Sequence, residues 1–201
     1  MSDLIHALDT LMSTYPQTIR LSDGTEASVR LLGREDCDAV VAFARTLPED
    51  DLLFLRVDIT DPRVVDNWIG NVEGGLTLSL VAYDDSGVVG YATIDRNPAP
   101  WTRHVGEIRV NVAPHCRAKH LGRHLTTQIF DFARALGLRK VMANMTVDQT
   151  GAQAAFKRLG FVPEAVLARH VEDRNGEPRD LVIMSYDVDG FTDQADEPIH
   201  L

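Results

Sequence analysis

A chain of 201 residues, 44% of them hydrophobic, can bury one substantial core and predicts one domain with short appendages. Its 30 acidic and 20 basic residues give a net charge of -10, which argues against binding to nucleic acid or to an anionic membrane and favours a cationic partner. Two cysteines are too few for a disulfide framework, and no apolar run approaches the roughly 20 residues of a membrane-spanning helix, so we expect a cytoplasmic protein.

Helical and strand-like patterns alternate in the N-terminal part of the chain. Apolar residues at helical spacing predict a helix within residues 1–16, which we expect to pack on the rest of the chain. Two strand-like runs flank the turn residues 22–25 and predict a hairpin. Prolines and acidic residues divide residues 34–72 into three helical segments that would wall a substrate groove. Residues 17–188 are expected to form a single domain.

Strands and helices continue to alternate in the C-terminal part of the chain. A polar turn at residues 84–87 joins two strand-like runs into a second predicted hairpin. The later predicted elements are a strand over 105–112, a helix over 122–136, a strand over 140–146, a helix over 149–159 and a hairpin of strands over 166–172 and 181–188. Residues 189–201 are acidic and poor in apolar groups, so we expect a disordered tail. This order describes an α/β or α+β protein with a sheet of mixed direction.

The stretch from Val105 to Leu125 predicts one strand, one tight loop and one helix start. Apolar and polar residues alternate along the strand: Ile108, Val110 and Val112 against Glu107, Arg109 and Asn111. Pro114 ends the strand, because proline has no N–H to donate to a ladder. A basic segment then leads through Gly122 into apolar residues at helical spacing. Because unpaired N–H groups and the positive end of the helix dipole meet at such a junction, the sequence predicts a phosphate-binding site there.

Two short motifs relate the chain to a known family. The loop Arg117-Ala118-Lys119-His120-Leu121-Gly122 corresponds to an Arg or Gln, two residues, a Gly, one residue, and a Gly or Ala. The later motif comprises Gln149, Ala152, Phe156 and Leu159-Gly160-Phe161. With these motifs and its order of elements, the chain resembles the GNAT superfamily of acyl-CoA-dependent N-acyltransferases. A turn at residues 23–26 and the pair Gly106-Glu107 make it somewhat similar to bacterial protein-lysine acetyltransferase domains.

The resemblance implies a fold, a reaction and a set of site residues. The implied fold is a mixed, mostly antiparallel central sheet flanked by helices, with a V-shaped opening after the strand at 105–112. The implied reaction moves an acetyl group from acetyl-CoA to a primary amine of a small molecule or a protein lysine, with Glu107 as the general base. The implied coenzyme-binding residues are Val110, Asn111, Val112, Arg117, Ala118, Lys119, His120, Leu121, Gly122, Arg123, Gln149 and Phe156.

Within this set, the backbone of the loop would hold the pyrophosphate of CoA, with Arg123 as a countercharge, and the strand backbone at 110–112 would orient the thioester. Three residues depart from the family pattern. His120 replaces the first Gly of the loop, and Gln149 replaces an Asn. Phe156 replaces the Tyr that often protonates the departing thiolate, and a phenyl ring has no proton to donate.

Other interpretations of the same residues remain open. A catalytically weak domain that binds acyl-CoA as a sensor is the main alternative to an enzyme. His115, Cys116, His120 and His124 suggest a zinc site, but they would compete with the phosphate, and we expect no metal ion. Cys116 is expected to be a small buried thiol. A homodimer through the first helix or a sheet edge is a further expectation that the sequence leaves undecided.

Overall fold

The computed structural model describes residues 2–53, 55 and 57–188. The acidic segment 189–201, for which the sequence predicts disorder, lies outside these residues. The helices are α1 (Ser2–Met12), α2 (Cys37–Thr46), α3 (Glu49–Leu53), α4 (Pro62–Glu73), α5 (Leu121–Ala135) and α6 (Thr150–Arg158). The strands are β1 (Gln17–Arg20), β2 (Glu26–Leu31), β3 (Thr77–Asp84), β4 (Gly87–Arg96), β5 (Val105–Val112), β6 (Lys140–Thr146), β7 (Val162–Glu172) and β8 (Pro178–Asp187).

All eight strands form one sheet in the order β1-β2-β3-β4-β5-β6-β8-β7. Six of the seven neighbouring pairs are antiparallel, and β5 with β6 is the parallel pair. The connection between these two strands contains α5, as a parallel crossover requires. The predicted fold class, a mixed and mostly antiparallel sheet flanked by helices, is therefore confirmed.

The parallel pairing of β5 with β6 is short. β5 pairs with β6 only at Val105, Gly106 and Glu107, whereas its pairing with β4 continues to Val112. The two strands therefore diverge beyond Glu107, and the V-shaped opening predicted after the strand begins within it. Among the residues that the structure describes, this divergence leaves one edge of β5 without a strand partner over residues 108–112.

The residues at the centre of β4 identify the two faces of the sheet. A Cβ on Gly90 would lie 3.4 Å from Leu125 Cδ1, so Gly90 faces α5. Its neighbour Tyr91 packs against Phe43 of α2 and Trp68 of α4, with ring centroids 6.2 and 5.0 Å apart. Because side chains alternate along a strand, α5 covers one face, and α2 with α4 covers the other.

The N-terminal helix packs on the rest of the chain, as its apolar stripe predicts. Leu8 and Leu11 of α1 contact the hydrophobic core, and the ring of Tyr15 lies 5.5 Å from that of Phe132 in α5. Within the described residues, none of the helices combines the length and the apolar character needed to cross a lipid bilayer.

Two strand boundaries differ clearly from the prediction, and one of them is the start of β8, at Pro178 rather than at 181. β7 begins at Val162 rather than at 166, because its pairing with β8 extends to Val162 opposite Ser185. Pro163 lies within this strand and lacks an N–H, which normally argues against a strand. β7 is the last strand of the sheet, and an edge strand tolerates proline on its open side.

Candidate active site

The loop before α5 presents an unusual row of free backbone donors. The N–H of Arg117 donates to Pro114 at 3.2 Å, and that of His124 donates to His120 at 3.0 Å. Between them, no described residue accepts a hydrogen bond from the N–H groups of residues 118–123. Ala118 and His120 have φ angles of 60° and 69°, in the left-handed region. Successive backbone N–H groups in turns that contain left-handed residues form anion-binding sites in proteins.

Ion pairs brace the loop from two other parts of the chain. Arg117 donates through Nε to the Val112 carbonyl at 3.2 Å and pairs through its guanidinium with Asp51 of α3. Lys119 Nζ lies 2.8 Å from Asp23 Oδ2 in the turn between β1 and β2. The hydrogen bond from Lys119 is the main reason that the pKa of the Asp23 carboxyl is well below its usual range. Two of the three basic side chains of the loop are therefore committed to holding its shape.

The start of α5 leaves the third basic side chain available. Arg123 is exposed and has no acidic partner among the described residues. His120 is the residue before the helix, and its side chain is exposed with no capping hydrogen bond. Leu121 is fully buried, and a Cβ on Gly122 would lie 3.5 Å from Val112, so these two residues anchor the helix against the sheet. The predicted phosphate site thus has free N–H groups and one unpaired cation.

The predicted strand residues lie at the edge where β5 leaves β6. Val110, Asn111 and Val112 pair with Ala92, Tyr91 and Gly90 of β4, and none of the three pairs with β6. The Val112 carbonyl already accepts from Arg117, so the unpartnered edge lies mainly before it. An exposed strand edge of this kind offers backbone groups to an extended ligand.

On the face covered by α2 and α4, Arg109 joins two carboxylates. Its Nη2 lies 2.8 Å from Asp95 Oδ2 on β4 and 3.2 Å from Glu107 Oε1 on β5. The hydroxyl of Thr77 donates to the other oxygen of Asp95 at 2.6 Å. These contacts orient the predicted base and place a second carboxylate beside it.

A cleft of about 490 Å³ lies next to these groups, between α4, the segment that follows α3, and strands β3 to β5. Its walls include Trp68, Tyr91, Thr93, Asp95 and Arg109. The Thr93 side chain is buried, and its hydroxyl has no hydrogen-bond partner among the described residues. A buried hydroxyl without a partner is uncommon, which makes Thr93 a group that a ligand in the cleft could satisfy. Burial raises the pKa of the Tyr91 phenol, which therefore remains protonated at neutral pH.

Gln149 and Phe156, the two predicted residues after β6, have structural partners. The side-chain oxygen of Gln149 accepts a hydrogen bond from the Thr146 N–H at 3.0 Å and closes the turn into α6. Phe156 is partly buried and packs edge-on against Phe161, with ring centroids 4.8 Å apart. Neither contact tests their predicted roles in coenzyme binding, which remain proposals.

Sequence reasoning missed several residues that contact the candidate site from other strands and helices. The sequence assigns no role to Asp95, Thr93 or Asp51, and it presents Arg109 only as part of the alternation in β5. A signal was available for two of them, because Thr93 and Asp95 alternate with Tyr91 along one face of a predicted strand. No local pattern pairs Asp51 with Arg117.

A comparison with protein-family models identifies the family of the chain. The model described as the acetyltransferase (GNAT) family matches residues 44–161, more than half of the chain. The chain belongs to the acetyltransferase (GNAT) family. The matched residues include the loop, Glu107 and Arg109, and membership makes this GNAT protein an acyltransferase, as the motifs predict. No curated protein gives a significant sequence match.

Solved structures share the GNAT fold at low sequence identity. Salmonella typhimurium yncA, whose structure contains its cofactor acetyl-CoA, has a TM-score of 0.71 at 22% identity, covering 82% of this chain and 95% of its own. The N-acetyltransferase from Staphylococcus aureus Mu50 has a TM-score of 0.71 at 17% identity, and the match covers 82% of this chain and 99% of that protein's chain. Ribosomal-protein-alanine N-acetyltransferase from Brucella melitensis has a TM-score of 0.69 at 23% identity, and the match covers 79% of this chain and 98% of that protein's chain. These similarities establish the fold.

Proposed function

We propose that this GNAT protein transfers an acetyl group from acetyl-CoA to a primary amine of a small molecule or a protein lysine. The main supporting observation is the helix start at α5, where the N–H groups of residues 118–123 and the side chain of Arg123 lack described partners. A helix N-terminus with free N–H groups fits a pyrophosphate. That Salmonella typhimurium yncA was solved with acetyl-CoA on the same fold supports the choice of co-substrate.

The proposed coenzyme site combines the loop with the open edge of β5. When bound, acetyl-CoA supplies a thioester whose acetyl carbon an amine can attack, with a thiolate as the leaving group. The N–H groups of 118–123 would hold the pyrophosphate, and Arg123 would balance its charge. Backbone groups of Val110 and Asn111 would orient the arm of the coenzyme at the opening between β5 and β6. Arg117 and Lys119 would act indirectly, by keeping the loop in shape.

Glu107 is the proposed general base. An alkylammonium must lose a proton before its nitrogen can attack, and a carboxylate beside the cleft can accept that proton directly or through water. Arg109 holds the carboxylate of Glu107, and Asp95 and Thr93 offer a negative charge and a hydroxyl to the arriving ammonium. Phe156 has no proton to donate, so the leaving thiolate would take its proton from water.

The proposal is tested by giving purified protein acetyl-CoA with a panel of amines and lysine peptides while free thiol is measured. We expect release of CoA thiol that depends on the acceptor. Binding of acetyl-CoA without release across the panel would instead favour the sensor function. The acceptors that support turnover would also separate a small-molecule amine from a protein lysine.

The role of the base is tested by Glu107→Gln, which keeps the shape of the side chain and removes its basicity. We expect kcat/KM for the acceptor to fall by about 10² to 10⁴ at neutral pH, with part of the loss recovered at high pH, where the amine is already neutral. The matched control is Glu172→Gln, at an exposed position in β7. Unchanged turnover of the Glu107 variant at both pH values would remove Glu107 from the mechanism.

A further inference from the structure

A second cavity, of about 620 Å³, lies beside the 3₁₀ turn Pro114–Cys116 that precedes the coenzyme loop. It is bounded by the turn between β3 and β4, by the start of β2 and by that 3₁₀ turn. Among the described residues it shares no lining side chain with the cleft beside Glu107. The acetyl-transfer proposal uses one of its lining residues, Lys119, and only to keep the coenzyme loop in shape.

Three metal-ligating side chains meet at this cavity. One ligand atom each from Asp84, His115 and Cys116 lies within 4.8 Å of the other two. His115 Nε2 and Asp84 Oδ2 are 3.7 Å apart, too far for a hydrogen bond. Bond lengths to tetrahedral zinc of about 2.0 to 2.2 Å from a nitrogen and an oxygen place these two ligand atoms roughly 3.3 to 3.5 Å from each other. The observed spacing lies within a few tenths of an ångström of this value, so a small shift lets both side chains of this ion pair reach one cation.

The Asp84 carboxylate is already oriented for such a role. Its Oδ1 accepts hydrogen bonds from the backbone N–H and the hydroxyl of Ser86, at 2.7 and 2.6 Å. Its Oδ2 is the atom that faces His115. Hydrogen bonds that fix the second oxygen of a ligating carboxylate are typical of the outer shell of metal sites. Ser86 thus reduces the reorganisation needed for Asp84 to bind a cation.

The charge around the cavity also favours a cation. Glu26, Asp84 and Asp85 line it, with Lys119 as the cationic side chain among its described lining residues. The ammonium of Lys119 is 2.8 Å from Asp23, so its charge is largely balanced outside the group of ligands. A cavity with this excess of carboxylates attracts divalent cations.

We propose that Asp84, His115 and Cys116 form a binding site for a divalent cation, with Zn²⁺ the best match to one oxygen, one nitrogen and one sulfur ligand. On binding, the Cys116 thiol releases its proton to solvent, and water completes a tetrahedral shell. The ion joins the β3–β4 turn to the segment immediately before the coenzyme loop. His120 and His124, which the sequence suggests as ligands, are not part of this group. The site is separate from the acetyl-transfer chemistry, which requires no metal.

The test uses metal ions alone, so its outcome does not depend on acetyl transfer. Metal-stripped protein is titrated with Zn²⁺ by calorimetry and with Co²⁺ by absorption spectroscopy. We expect one ion per chain and a near-ultraviolet band from thiolate-to-cobalt charge transfer. Cys116→Ser should abolish that band, and both Cys116→Ser and His115→Asn should weaken Zn²⁺ binding by roughly tenfold or more, the scale of losing a group that supports a metal.

Matched variants separate the site from general metal binding. Cys37→Ser alters the other cysteine, and His170→Asn alters an exposed histidine of β7, and neither should change the affinity or the band. Cys116 is buried and its variant could fail to fold, but His115 has a side chain 58% exposed, so His115→Asn tests the site in a folded protein. Absence of stoichiometric binding, or equal binding by wild type and His115→Asn, would overturn the proposal.

Discussion

At the scale of single residues, the conformation of His120 explains how the loop departs from the family motif without losing its shape. The family places glycine at this position, and here φ is 69°, in the region that glycine enters without cost. Histidine is one of the side chains found there more often than most, yet a non-glycine residue is strained by roughly 1–2 kcal/mol. The loop therefore keeps the backbone geometry of the motif, but it carries a side chain where the motif has none.

Two substitutions at His120 distinguish the effect of backbone strain from the effect of the imidazole on coenzyme binding. We expect His120→Gly to raise the free energy of unfolding by up to about 1 kcal/mol and to lower KM for acetyl-CoA about threefold, because the phosphate can approach the backbone more closely. His120→Ala keeps the Cβ and the strain, so both quantities should stay near wild type. Urea unfolding and initial rates provide the two measurements. A rise in KM for both variants would show that the imidazole binds the phosphate.

At the scale of elements, the entry into α2 depends on one buried carboxylate. Asp36 is fully buried in the 3₁₀ turn Arg34–Asp36, and its two oxygens accept from Arg30, from the hydroxyl of Tyr83 and from the N–H of Gly33. The pKa of Tyr83 is raised to about 12, mainly by burial and to a lesser extent by its hydrogen bond to Asp36. This network joins β2, β3 and the start of α2, and α2 in turn packs on α4, the helix that lines the cleft.

The network gives a stability prediction with an internal control. Asp36→Asn should lower the free energy of unfolding by about 2–3 kcal/mol, because it leaves the partly buried guanidinium of Arg30 without its buried counterion. Glu35→Gln removes the exposed partner of the same arginine and should cost less than about 1 kcal/mol. Midpoints of urea unfolding with unchanged slopes measure both. Equal losses for the two variants would contradict a special role for the buried carboxylate.

Local patterns predict the elements better than the contacts between them. Pro114 and Gly122 mark the loop from sequence alone, because each limits the backbone at its own position. The start of β7 could not be predicted, since Pro163 argues against a strand until its place at the sheet edge is known. The same holds for the site: Glu107 follows from the motif, whereas its link through Arg109 to Asp95 depends on the register of β4 against β5.

At the scale of the whole molecule, binding and stability are linked through α5. This helix packs against β3, β4 and β5 on one side and α1 on the other, and its first turn forms the proposed phosphate site. A ligand held at its start therefore binds the folded chain and not the unfolded one, which raises the free energy of unfolding by RT ln(1 + [L]/Kd). For a ligand at 100 times its Kd, the gain is about 2.7 kcal/mol.

For a chain of this size, that gain corresponds to a rise in Tm of roughly 5–10 °C in saturating acetyl-CoA. Arg123→Ala should weaken binding about tenfold and reduce the rise by roughly 3–5 °C at the same ligand concentration, because it removes the unpaired cation of the loop. Arg134→Ala is the matched control, since Arg134 lies in the last turn of the same helix and pairs with Asp131. Thermal unfolding with and without ligand measures all three proteins. An equal rise in the Arg123 variant would show that Arg123 does not contribute to coenzyme binding.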